Sequence, residues 1–307
     1  MNRYLRLLPA GMAIALAACN TANDITEEPD VPAGESKIVN VVVLDYSPAP
    51  GQFVNKLPLY TSGDTPETMR GKVQDDLCAG RIVTLGSFGG SVTLRLEKPI
   101  WNTQGPDFRV RGNAIIHGIG PDGRPFGSSE PGIVEVMQDN NGNGLPDDGD
   151  WCALSGYLYD DGEDVTVTYH EPAPDATDAK YIRYTLSDGS EGWINRVSSH
   201  HKQPFFPQWN AEGGSMTFAA RRLPDNGRFN PDNGQYELVC YEGYADAYPD
   251  SDDRSMLDIS TAVTPEGISI MFERIDFVRI TTSVLQANGP LGECSTEVGG
   301  IEIVAGK

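Results

Sequence analysis

Apolar and polar residues alternate along most of this chain, which is the period-two signature of strands with one buried face. The alternation runs through 37–46 (KIVNVVVLDY), 81–96, 107–118, 132–139, 164–170, 181–188, 215–223, 236–244 and 267–284. Turn-forming groups separate the runs: Pro121-Asp122-Gly123, Asp161-Gly162, Asp188-Gly189, Asp225-Asn226-Gly227 and Asp232-Asn233-Gly234. One short helix is predicted, over 68–78. The 34 glycines and 22 prolines oppose longer ones. Many strands without crossover helices predict an all-β chain, a two-sheet β-sandwich of the jelly-roll kind with long loops.

The first residues break this pattern. Arg3 and Arg6 precede a mostly apolar run over 7–18, too short to span a bilayer and shaped like a secretion signal. Leu16-Ala17-Ala18-Cys19 then places small residues before a thiol, as lipoprotein processing requires. The expectation is a signal over 1–19 with Cys19 lipidated. The plain alternative is an ordinary signal that happens to contain a cysteine. Asn20, not an aspartate, follows Cys19, which favours the outer membrane. Residues 20–36 are polar, acidic and interrupted by proline, so they read as a flexible tether. The folded body is expected over 37–307, with a lipid anchor as its only tie to the membrane.

Charge narrows the partners. The net charge is −21. Without Arg3 and Arg6 the remainder has 21 basic against 44 acidic residues, a net charge of −23. Such a surface repels nucleic acid and tolerates cations. Of five cysteines, Cys78, Cys152, Cys240 and Cys294 remain after lipidation. Four thiols in an oxidising compartment suggest two disulfides of undetermined pairing.

Three stretches carry candidate chemistry. In 136–151 (VMQDNNGNGLPDDGDW), Asp139, Asn141, Asn143, Leu145, Asp147 and Asp150 fall at positions one, three, five, seven, nine and twelve, with Gly144 at six. That spacing suits a structural Ca2+ held by side-chain oxygens and the Leu145 carbonyl. Asp150 is one carbon shorter than the usual Glu, so the site would be weak. The plain alternative is a turn whose side chains bond their own backbone.

The second stretch, 198–209 (SSHHKQPFFPQW), could line a ligand groove with His200, His201, Gln203, Phe205, Phe206 and Trp209. The ligand-binding set drawn from it is His201, Gln203, Phe206 and Trp209. The plain alternative is a proline-stiffened loop whose aromatics cap the core. The third, with Asp246, Asp250, Asp252 and Asp253, could hold a second cation but reads more simply as a solvated acidic loop. No HExxH, GxSxG or phosphate loop occurs. Glu97, Glu130 and Glu135 lie on or near strands without any spacing that selects a catalytic pair.

Taken together, VLDYSPAPGQFVNKLP, VTLGSFGGSVTLRLEKPIWN, GPDFRVRGNA, EPGIVEVMQDNNGNGLPDD, HHKQPFFPQW, YEGYADAYPD, IDFVRI and LGECSTEVGG resemble the large surface lipoproteins of Bacteroides-type bacteria, those described as cell surface protein or PKD domain-containing. The resemblance runs from about Val43 to Ile301. It implies a galactose-binding-like jelly roll on the cell surface, as an accessory of TonB-dependent nutrient uptake. Cys152, Cys240 and Cys294 depart from that pattern, which suggests an added disulfide, Cys152–Cys240. The expected function is capture of a glycan or a cobalamin-like (corrinoid) ligand beside a TonB-dependent transporter, without catalysis. The alternatives are a glycoside hydrolase or lyase on a β-sandwich and a calcium-stiffened adhesin.

Overall fold

The computed structural model describes residues 37–304 apart from 174–175, 177–179, 197–200, 211–212 and 232–233. The expected signal and Cys19, the tether over 20–36, His200, Asp232 and Asn233 lie outside the described residues.

Among the described residues the chain is all-β with one α-helix. The described strands form five hydrogen-bonded sheets, where the sequence predicts two. The largest has six strands in the order Ala262–Val263, Cys152–Leu154, Gly132–Met137, Arg274–Thr282, Ser91–Trp101 and Val41–Ser47. Every neighbouring pair in it is antiparallel. Three further sheets have four strands each, the unit size of a propeller blade. One joins Lys37–Val39, Ile301–Ile303, Phe108–Val110 and Met256–Leu257; a second joins Glu191–Asn195, Lys180–Leu186, Glu163–His170 and Ser215–Arg222. The third, which matters most below, joins Gly227–Asn230, Gln235–Val239, Pro125–Ser128 and Ile115–Ile119. Glu297–Val298 pairs with Val83–Thr84 as a two-stranded ribbon.

Alternation decides which face of the large sheet is dry. Val41, Val43, Val92, Leu94, Val134, Val136, Val278 and Ile280 turn into one apolar cluster. Phe108, Val110 and Ile301 of a four-stranded sheet fill it from outside that sheet. The helix Pro66–Cys78 adds Met69, Val73 and Leu77, spaced four apart so that they share one face. Each such burial stabilises by about 1.5–3 kcal/mol. The helix starts where Thr65 and Thr68 form a reciprocal capping box and Pro66 opens the first turn. On the opposite face of the large sheet, Arg279 stands across from Glu135 and donates two hydrogen bonds to it, 2.6 and 2.7 Å long.

Several predicted strands are corrected: 37–46 divides at Asn40 into Lys37–Val39 and Val41–Ser47, 107–118 divides into Phe108–Val110 and Ile115–Ile119, each pair split between two sheets, and 236–244 is strand only as far as Val239. The run 81–96 is not continuous: Val83–Thr84 and Ser91–Trp101 are separated by a tight turn. At Gly86, with φ +71°, a Cβ would sit 1.8 Å from the Ala49 carbonyl oxygen, so only glycine fits. The run 267–284 is strand only over Arg274–Thr282.

The two-disulfide expectation is corrected as well. Cys152, Cys240 and Cys294 are free, buried thiols, so the Cys152–Cys240 bridge is not formed. They behave as small apolar core residues. No helix among the described residues is long and apolar enough to cross a membrane.

Candidate functional site: an aromatic-walled cavity over a buried acid cluster

A cavity of about 710 Å³ opens beside the sheet that contains Gln235–Val239. Strand alternation builds its first wall. Phe229 lies opposite Tyr236, and Leu238 lies opposite Gly127, so these four positions share one face. The Phe229 and Tyr236 rings are 5.5 Å apart, and Phe229 is 55% exposed. Large aromatics left open on a cavity wall offer flat apolar faces to a ligand.

The second wall is a pair of clamped loops. Asn55 donates to the carbonyls of Pro204 (2.9 Å) and Phe206 (3.0 Å) and accepts from the Gln208 amide (2.9 Å). The Gly51 amide donates to the Phe205 carbonyl at 3.0 Å. These bonds fix 204–208 against 51–55. Phe53 meets His201 edge to face at 4.8 Å, and both line the cavity. His117, from the bulge in Ile115–Ile119, lines it too.

The structure divides the ligand-binding set read from sequence. His201 is placed in the cavity wall. Gln203 spends its amide on the Gln52 carbonyl. Phe206 and Trp209 are buried core residues, and Trp209 stacks on Tyr46 at 6.2 Å. The plain reading holds for those two: Pro204 and Pro207 turn the loop so that its aromatics face inward.

Glu130 and Glu293 also line the cavity. Burial pushes the Glu293 carboxyl up to about 7. Its Oε1 accepts from the Gln52 amide, while Oε2 is sealed from water without a donor. Glu130 joins a second group. One oxygen each from Glu130, Asp246 and Glu297 lies within 4.8 Å of the others. Asp246 is 3% exposed and Glu297 1%.

Asp246 accepts from the amides of Asn113 (2.9 Å), Ala114 (3.0 Å) and Glu297 (3.0 Å). It does so from a left-handed backbone, φ +53°, that a non-glycine residue holds only when its surroundings over-determine it. Glu297 accepts from Thr84 Oγ1 at 3.1 Å and Ser295 Oγ at 3.3 Å. Glu130 accepts from the Ser295 amide at 2.9 Å. All three carboxyls are raised. Desolvation is the first cause in each, followed for Glu130 by the charge of Asp246 and for Glu297 by the charge of Glu130. For Asp246 the three amide bonds pull the other way.

Sequence reading missed most of this group. Glu130 was visible only as one strand-adjacent acid among several. Asp246 belongs to the stretch read as a solvated loop, and it is instead an internal anchor. Asp250 in the same stretch accepts from the Gly112 amide at 3.0 Å and pairs with Arg111. The one sequence signal for Glu293 and Glu297 is their place in LGECSTEVGG, two acids among small residues that a core can accept.

The 139–150 loop lies elsewhere. Asp139 accepts from the amides of Gly142 (2.7 Å) and Gly144 (2.9 Å), Asn141 from Asn143 (2.9 Å), and Asn143 from Leu145 (2.7 Å). The Asn141 and Asn143 amides both meet the Asp147 carboxylate at 3.1 Å. Leu145 and Asp150 are exposed. The loop thus gathers Asn141, Asn143 and Asp147. Among the described residues it brings no three acidic side chains to one point.

Neither family models nor curated proteins give a match to this chain.

Proposed function

We propose that this chain is a lipid-anchored surface protein that captures a small nutrient ligand in the aromatic-walled cavity and serves a TonB-dependent outer-membrane transporter. The observation that carries the reading is the cavity: the open aromatic rings of Phe229 and Tyr236, with imidazoles and carboxyls also in its lining. That combination suits a glycan, whose ring faces are apolar and whose rim is hydroxyl. About 710 Å³ fits a short glycan within the usual size of ligand pockets and argues against a whole corrinoid. The shared cluster between the six-stranded sheet and its four-stranded neighbour supports a sandwich core of the galactose-binding-like kind.

Phe229→Ala and Tyr236→Ala are expected to weaken glycan binding by about tenfold each, since losing an aromatic contact costs about 0.5–1.5 kcal/mol beyond area. Glycan-array screening followed by titration of the hits checks this. No hit on a broad array, or hits indifferent to both substitutions, would end the reading.

A second reading, glycoside hydrolysis, is favoured by one feature: Glu130 and Glu293, both raised, line the same cavity. A carboxyl held protonated near neutrality is what a general acid needs. Release of reducing ends from a polysaccharide, lost in Glu293→Gln, would establish it over pure capture.

The 139–150 loop is proposed as a weak structural Ca2+ site. Asn141, Asn143 and Asp147 already converge, and an ion there would replace the bonds that the two asparagine oxygens now accept from the Asn143 and Leu145 amides, which agrees with weak binding. Titration calorimetry is expected to show binding near millimolar Ca2+ that Asp139→Ala removes. Identical heats in the two proteins would refute the loop's role.

A further inference from the structure

The acid cluster raises a problem that hydrogen bonding does not solve. Glu130, Asp246 and Glu297 come from three distant segments; Asp246 and Glu297 are buried and Glu130 is half-buried beside them. None of the three is in an ion pair among the described residues; Arg111, on the adjoining segment, is held by Asp250 and Glu302. Burying even one uncompensated carboxylate is expensive, and three together repel one another. A second observation is independent of their clustering. Glu297 is 1% exposed, its Oε2 is sealed from water with no N–H or hydroxyl donor, and the side chain its carboxyl meets is another carboxyl, that of Glu130. Buried acceptors are nearly always satisfied, so an orphan of this kind points to a missing partner.

The partner's chemistry follows from the atoms present. Every side-chain donor here is a hard oxygen: three carboxylates, with the Thr84 and Ser295 hydroxyls 2.7 Å apart behind Glu297. Oxygen-only sites select calcium, magnesium or manganese over softer metals. Spacing agrees. Metal–oxygen bonds of about 2.0–2.6 Å place two ligands of one ion at most about 5 Å apart. The cluster's ligand oxygens lie within 4.8 Å. The amides of Asn113, Ala114 and Glu297 hold the Asp246 carboxylate from behind, as outer partners orient metal ligands. Glu130 lines the cavity, which gives an ion its way in.

We propose that Glu130, Asp246 and Glu297 bind one divalent, oxygen-preferring cation beside the cavity that Glu130 lines. The site is separate from the 139–150 loop and does not depend on the cavity's ligand being a glycan. Its competitor is a proton shared among the carboxyls, which would satisfy the same orphan oxygen.

The test is titration calorimetry of the EDTA-stripped full chain at pH 7.5 with Ca2+, Mg2+ and Mn2+ in turn. Wild type, Asp139→Ala and Glu297→Gln are compared. Asp139→Ala is expected to retain binding of at least one ion, which Glu297→Gln weakens at least 100-fold. Absence of binding of all three ions to Asp139→Ala overturns the proposal in favour of the shared proton. So does equal affinity in Glu297→Gln and wild type. Should Glu297→Gln not fold, Asp139→Ala at two pH values decides: protons must compete, so affinity is expected to fall at least tenfold between pH 7.5 and 5.5. An affinity unchanged with pH overturns the proposal.

Discussion

Asp246→Ala is expected to cost about 3–6 kcal/mol of stability, read as a fall in the urea midpoint followed by tryptophan fluorescence. The substitution leaves the amides of Asn113, Ala114 and Glu297 without their acceptor. A buried donor left unmade costs about 1–3 kcal/mol. Relief of repulsion toward Glu130 and Glu297 offsets part of the sum. Asp246→Asn is expected to cost less, about 1–3 kcal/mol, because Oδ1 can still serve Asn113 and Ala114 while the new NH2 faces the Glu297 amide. Equal stability of Asp246→Ala and wild type would show that these bonds do not hold the segment.

The second large effect is on pH. In EDTA, the chain is expected to lose stability as pH rises from about 5 to 8. Glu293 ionises near its ordinary value of 4.5 when unfolded and at about 7 when folded, because burial disfavours the charged form. The folded state therefore binds the proton more tightly. The stability it contributes is complete below about 4.5 and is lost as pH rises through about 7. At about 1.4 kcal/mol per pH unit, this one group is worth about 3 kcal/mol. Burial raises Glu130, Asp246 and Glu297 in the same direction. Asp64, bonded to Lys72, and Asp252, bonded to Arg254, are lowered instead, so their contribution is lost as pH falls. They lie at or near the surface, where such pairs are weak. Stability should thus peak in mildly acidic solution. Urea midpoints at pH 5 and 8 check it, and a midpoint that rises toward pH 8 would contradict the burial of these carboxyls in the cation-free chain. If a divalent cation binds the cluster, its addition should flatten the slope.

Much of the strand content was legible because one-face burial writes itself into the chain as alternation. Val41–Ser47, Gly132–Met137, Glu163–His170 and Ser215–Arg222 fall within or beside the runs that predict them. The short strands Pro125–Ser128, Cys152–Leu154 and Glu191–Asn195 were not legible, since three to five residues between turns carry no readable period. The break at Gly86 depends on the approach of Ala49, some forty positions earlier in the chain, which no local pattern reports. Sorting strands into five sheets depends on long-range pairing in the same way.

The site divides along the same line. The residue type at His201 marked it as a candidate while Glu130 stood out from no other acid, and the loop clamped by Asn55 brings His201 to the cavity while Phe206 and Trp209 are buried in the core. By itself the sequence determined an acidic, strand-rich chain and the loop whose Asn141, Asn143 and Asp147 converge, because composition and short spacings act locally. Only the tertiary structure decided that Asp246 is internal, that three carboxyls from distant segments meet, and that Phe229, Tyr236 and one of those carboxyls, Glu130, line a common cavity. Burial and Coulomb repulsion depend on distance through space, and a linear sequence does not contain those distances until the sheets have formed.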